Sequence, residues 1–150
     1  MFRFASICLL LATLSLSACG GDSAPATTPT PPPPTGPATL QITDLVVGTG
    51  QEAAAPLSVT THYTVWLYDP AGTDSKGRRV QSSTDSGNPF PFRLGTNAVI
   101  AGFEQGVIGM RAGGKRRLIV PPSLAYGSAG AGSIPGNSWL VFEIDLLSLS

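Results

Sequence analysis

From Thr39 onward, apolar and polar residues alternate in short runs broken by glycine and proline, the pattern of strands that bury one face. Leu40–Val46 forms a first such run and stops at Gly48-Thr49-Gly50. Leu57–Tyr68 is a long alternating run rich in β-branched and aromatic residues, so it predicts the principal strand. Asp69–Arg79 carries Pro70, Gly72 and Gly77 and reads as a loop. Phe90, Phe92 and Leu94 share a face, and Pro91 between them lacks an N–H, which places this strand at an edge or bulge. Arg116–Val120 and Trp139–Leu147 alternate as two more strands, joined by the glycine-rich stretch Pro121–Ser138.

One segment departs from the two-residue period. Ile100, Phe103 and Val107 recur at helical spacing, with Asn97 placed as an N-cap and Gly109 as a stop. Gly102 and Gly106 weaken this helix, so packing against the sheet must hold it. One short helix among a majority of strands predicts an α+β domain with an antiparallel sheet.

The N-terminal pattern is of another kind. Arg3 precedes an apolar stretch, about Ala5 to Leu16, that is too short to span a bilayer. It ends in Leu16-Ser17-Ala18-Cys19, which resembles the lipobox of bacterial lipoproteins. That resemblance implies a signal peptide over residues 1–18 and a Cys19 that receives diacylglycerol and becomes the mature N-terminus. Gly20, rather than Asp, follows the cysteine, and the family pattern then implies the outer membrane. Residues 19–39 read as the lipidated cysteine and a Pro/Thr/Ala-rich tether, which holds half of the 14 prolines, including the run Pro31–Pro34. Such a composition buries little and stays extended, so its expected role is standoff from the membrane.

Charge and chemistry narrow the function by exclusion. Nine basic residues balance nine acidic ones, so no field draws nucleic acid. Lys115-Arg116-Arg117 reads as a solvated edge. Cys8 and Cys19 both precede the folded region, which leaves it without a disulfide, a thiol nucleophile or a cysteine metal site. His62, the single histidine, reads as an ordinary strand residue. No Ser-His-Asp set, phosphate loop or carboxylate pair emerges, and no cofactor or metal is expected. What stands beside the loops is an apolar and aromatic set: Tyr63, Phe90, Val99, Ile100, Phe103, Tyr126, Ile134 and Phe142. Pattern alone assigns these to the core.

Their order along the chain changes that assignment. His62-Tyr63-Thr64, Ser82-Ser83, Pro89-Phe90, Val99–Val107, Gly109-Met110, Ala125-Tyr126-Gly127 and Leu140–Glu143 occur in sequence. Spaced in this way over Leu57–Leu149, they resemble the FKBP-type peptidyl-prolyl cis-trans isomerases, with residues 40–150 as the domain. The resemblance implies an antiparallel β half-barrel wrapped around one short α-helix, with a prolyl pocket between helix and sheet. It implies Phe103 as the pocket floor, with Tyr63, Phe90, Val99, Ile100 and Phe142 as walls. Tyr126 would offer its hydroxyl, and Ile100 its N–H, to a substrate carbonyl; Ile134 would sit in a covering flap. Catalytic roles then fall to Tyr63, Phe103 and Tyr126. Val80-Gln81 stand where the family has Phe-Asp, and Ser86 where it has Arg, so Gln81 is expected to hydrogen-bond Tyr63 without charge. Implied partners are proline-containing unfolded or partly folded proteins, the membrane through the lipid anchor, and rapamycin-like macrolides bound weakly. The expected function is X-Pro isomerisation on envelope proteins. The alternative is a proline-segment-binding module or chaperone with weak or no isomerase activity.

Overall fold

The computed structural model describes residues 33–150; Cys19, the leader before it and the tether up to residue 32 lie outside the described residues. Six strands and one helix follow: β1 (Gln41–Val46), β2 (Ser58–Tyr68), β3 (Lys76–Ser82), β4 (Phe90–Arg93), α1 (Ala101–Val107), β5 (Lys115–Val120) and β6 (Leu140–Leu149). The strands form one antiparallel sheet in the order β1-β5-β6-β2-β3, with β4 also on β2. One edge of β2 runs along β6, while β4 and β3 divide the other, β4 taking Ser58–Thr61 and β3 taking Thr64–Tyr68. This is the α+β half-barrel around a short helix that the resemblance implies.

Alternation decides the core. Leu118 and Val120 of β5 and Leu140, Phe142, Ile144 and Leu146 of β6 are buried on the face toward α1, as are Val59 and Val65 of β2. Each large apolar side chain buried there contributes on the order of 1.5–3 kcal/mol. A helix as short as α1 is not stable alone; Phe103 and Val107, both buried, hold it to the sheet. The glycines that weaken it are what allow the contact. A Cβ on Gly102 would overlap Val120 Cγ1, and one on Gly106 would overlap the Leu118 methyls. The helix ends in a type II turn, with Met110 N–H donating to the Val107 carbonyl at 3.0 Å and Gly109 at φ +79°.

Four expectations are corrected. Asn97 does not cap α1: it sits at φ +54° in the preceding turn, and Ile100 occupies the cap position. The Asp69–Arg79 loop is shorter than its composition indicates, because β3 begins at Lys76 after a 3-10 turn at Thr73–Ser75. An edge strand carries the polar residues that make it resemble a loop. The run Lys115–Arg117 is no solvated edge, since β5 lies between β1 and β6. Arg116 is buried, donating to the Gly106 and Ile108 carbonyls at 2.9 and 3.2 Å and facing Asp44 through Nε. It thereby satisfies carbonyls that a helix C-terminus leaves open. Finally, the last tether residues are not free of the domain. Trp139 Nε1 donates to the Pro37 carbonyl at 2.9 Å, and Gly36 lies so close that a Cβ would stand 2.6 Å from Trp139 Cδ1.

Candidate functional site

Between α1, β2 and the loops at one end of the sheet lies a cavity of about 430 Å³, within the range of small-molecule sites. All nine candidate side chains line it. Tyr63 comes from β2, Gln81 from β3, Phe90 from β4 and Phe142 from β6. Val99, Ile100 and Phe103 come from α1 and its approach, and Tyr126 and Ile134 from the loop between β5 and β6. Val65 and Ala98, which the sequence does not single out, also line it, as does Val80, noted there only for standing where the family has Phe. Val65 was legible in principle, since it follows Tyr63 by two on a strand and so shares its face.

Phe103 is almost fully buried and lies edge-on to three rings, with centroids 5.7 Å from Tyr63, 5.6 Å from Phe92 and 5.4 Å from Phe142. Tyr63 in turn meets Phe90 edge-on at 5.5 Å. Edge-to-face pairs of this kind fix ring orientation, each contributing about 0.5–1.5 kcal/mol beyond burial. They make a rigid apolar wall.

The backbone of Tyr63 is held where β3 departs from the sheet. Its N–H donates to Ser83 Oγ at 2.9 Å, and its carbonyl accepts from the Ser82 hydroxyl at 3.1 Å. Ser82-Ser83 thus satisfies the edge groups of β2 that a longer β3 would have paired. His62, on the opposite face of the strand, has Nδ1 2.9 Å from Ser83 Oγ and no place in the cavity.

Polar groups in the cavity are few and neutral. Burial, and then the neighbouring Tyr126 hydroxyl, push the Tyr63 phenol above its ordinary range, so it remains a protonated donor at neutral pH. Tyr126 is 39% exposed at the mouth. The Ile100 carbonyl accepts from Phe103 and Glu104, while its own N–H has no backbone partner among the described residues. Gln81 does not form the expected bond to Tyr63; it is exposed at the rim, opposite Val65 in the ladder. Ser86 turns inward on its own turn, its hydroxyl donating to the Ser83 carbonyl at 3.0 Å. Among the described residues no His, Cys, Asp and Glu cluster able to hold a metal occurs. The cavity is therefore suited to a small apolar ring and an adjoining amide.

A half-barrel with an uncharged aromatic cavity at the helix defines a class of domain that takes a small apolar group, and comparison with known proteins gives its family. Residues 50–147 match the family model of the FKBP-type peptidyl-prolyl cis-trans isomerases. The chain belongs to this family. It is 49% identical over 90 residues to FK506-binding protein 2 of Dictyostelium discoideum, spanning 59% of this chain and 62% of that protein. It is 40% identical over 111 residues to an FK506-binding protein of Neisseria meningitidis serogroup A, spanning 73% and 95% respectively. The solved structure of AtFKBP13 superposes with a TM-score of 0.64 at 36% identity, covering 74% of this chain and 93% of that one.

Proposed function

We propose that the domain catalyses cis-trans isomerisation of X-Pro bonds in proteins of a bacterial envelope, held there by lipid on Cys19. One observation carries the catalytic reading: an FKBP-family domain keeps its apolar walls, its Phe103 floor and two phenols together around a single cavity. The rotation needs no acid, base or nucleophile. Its barrier, roughly 18–20 kcal/mol, comes from lost amide resonance. A twisted amide is less dipolar than a planar one, so a dry apolar wall disfavours the ground state relative to the transition state. Each tenfold in rate requires only about 1.4 kcal/mol of that difference. In this reading Phe103 and Phe142 receive the prolyl ring. Tyr126 and the Ile100 N–H hold substrate carbonyls, and Tyr63 closes the wall with a protonated phenol. Phe90, Val99 and Ile134 confine the flanking residues, with Gln81 at the rim.

The test is a protease-coupled or exchange-NMR assay on a proline tetrapeptide with the full-length chain. A rate no faster than the uncatalysed one would leave the second reading, a proline-segment-binding module or chaperone. The unbonded, exposed Gln81 favours that reading, because it leaves the Tyr63 hydroxyl without a charged partner.

The anchor and its address rest on sequence: Leu16-Ser17-Ala18-Cys19, then Gly20, then a proline-rich spacer. Acyl chains at one residue give the multi-chain anchoring that a single chain lacks. The expected address is the outer membrane, facing the periplasm. Labelled palmitate should enter the wild type and not Cys19→Ser; equal labelling of both removes the anchor from the account. Rapamycin-like macrolides are expected to bind weakly, their pipecolyl ring over Phe103 without a carboxylate at position 81.

A further inference from the structure

The loop between β5 and β6 carries two residues of the cavity, Tyr126 and Ile134; Leu124, Ala125 and Ile134 pack it against the core, and few hydrogen bonds tie its tip to the rest of the domain. Glycines stand at 127, 130, 132 and 136, the first three at positive φ. Its first part is ordered by a 3-10 turn at Pro122–Leu124 and by the Gly130 N–H donating to the Tyr126 carbonyl at 3.2 Å; its tip is a tight reversal, where Ala131 and Ile134 exchange backbone hydrogen bonds of 3.0 and 2.8 Å around Gly132-Ser133. A further bond, Asn137 N–H to the Gly127 carbonyl at 2.7 Å, closes its base. Among the described residues, one hydrogen bond joins residues 121–138 to any other segment. Arg78 Nη2 of β3 donates to the Ser133 carbonyl at 2.7 Å, across 55 residues of sequence.

Arg78 makes no other side-chain hydrogen bond among the described residues. It forms no ion pair among the described residues, whereas its neighbour Arg79 pairs with Asp85 at 2.9 Å. It precedes by two and three residues Val80 and Gln81, which line the same cavity as Tyr126 and Ile134. A planar guanidinium donating to a carbonyl gives a short, charge-assisted bond with a fixed direction. The bonded carbonyl belongs to the residue just before Ile134, so holding it fixes where Ile134 stands over the cavity. We infer that Arg78 is a positioning residue: it latches the tip of the 121–138 loop to β3 and thereby sets substrate affinity. The inference rests on the isomerase reading of the site for its kinetic consequence, but not for the latch itself.

Two measurements on the full-length chain test it. In Arg78→Gln, amide hydrogen exchange at Gly132–Ile134 should quicken with no substrate present, while the β-ladder amides keep their protection. KM for a neutral proline tetrapeptide should rise by about three- to tenfold, the range of one hydrogen bond of ordinary strength, since this bond is exposed to solvent, while kcat stays unchanged. Arg78→Lys retains a donor without the planar fork and should recover part of both effects. The same KM factor should appear for a tetrapeptide with a glutamate beside the X-Pro unit. A loss confined to the acidic peptide would mean that Arg78 contacts substrate directly, and would overturn the latch. Unchanged loop exchange in Arg78→Gln overturns it as well, whether or not the chain proves to be an isomerase.

Discussion

Phe103 illustrates why a cavity residue and a core residue are hard to separate by pattern. It is 3% exposed and touches three rings, yet it also lines the cavity. Phe103→Ala would cost about 3–5 kcal/mol, a large share of a small domain's stability, and so confounds activity with folding. Phe103→Leu keeps most of the volume, and we expect it to fold and to lower kcat/KM roughly tenfold, about 1.4 kcal/mol. Wild-type turnover in a folded Phe103→Leu would remove the floor from the mechanism. Tyr126 is the cleaner probe, being exposed at the mouth. Tyr126→Phe should leave Tm unchanged and reduce kcat/KM by no more than about tenfold, the upper range of one neutral hydrogen bond. These residues became legible as a site only through their order along the chain, because their chemistry is that of any core. Ala98 escaped even that reading, and Val80 entered it only as a departure from the family's Phe, without a place in the cavity. Neither is bulky, and Val80 lies where the β2–β3 register shifts, so strict alternation does not aim it.

At the scale of elements, period and punctuation located β1, β2, β4, β5 and β6 to within one or two residues, and α1 with its start three residues early. They missed β3 because Lys76, Gly77, Arg78 and Arg79 carry no apolar signal. What pins that strand is tertiary: Lys76 Nζ lies 4.6 Å from the centre of the Trp66 ring and 2.7 Å from Glu143. Arg116 was misread for the opposite reason, since a cation inside a basic run gives no hint that a helix end waits beneath it. The helix glycines yield the sharpest test. Gly106→Ala gains about 1 kcal/mol of helix propensity but forces a methyl into Leu118, and overpacking typically costs about 1–3 kcal/mol. Net destabilisation in urea is the expected result; a raised midpoint would mean that α1 is free to lift from β5.

At the scale of the molecule, charge is organised on the sheet face away from the helix. Arg117 stands opposite Glu143 in the ladder, with Lys76 and Asp74 completing the cluster. Burial alone would raise the Glu143 carboxyl, but hydrogen bonds from Lys76 and Arg117 outweigh it and hold it below its ordinary range. A lowered folded-state value means that its stabilisation is complete above the ordinary carboxylate range and is lost as pH falls through the lowered value. Glu143→Gln should therefore be less stable than the parent near neutrality, and the gap should close on acidification below about pH 4. A gap that persists in acid would trace the effect to packing instead. At the other end, residues 33–150 should unfold with the full chain's midpoint. Trimming to 40–150 strips Pro37 from Trp139, so about 0.5–1.5 kcal/mol should go with it and the indole emission should shift to the red. The uncharged cavity has a last consequence. It holds nothing that is consumed, so it shortens the path between isomers equally in both directions and leaves their final ratio untouched. Direction must come from the client: a proline that becomes enclosed as its own chain folds is withdrawn from reach. Maturation, rather than the isomerase, then acts as the ratchet.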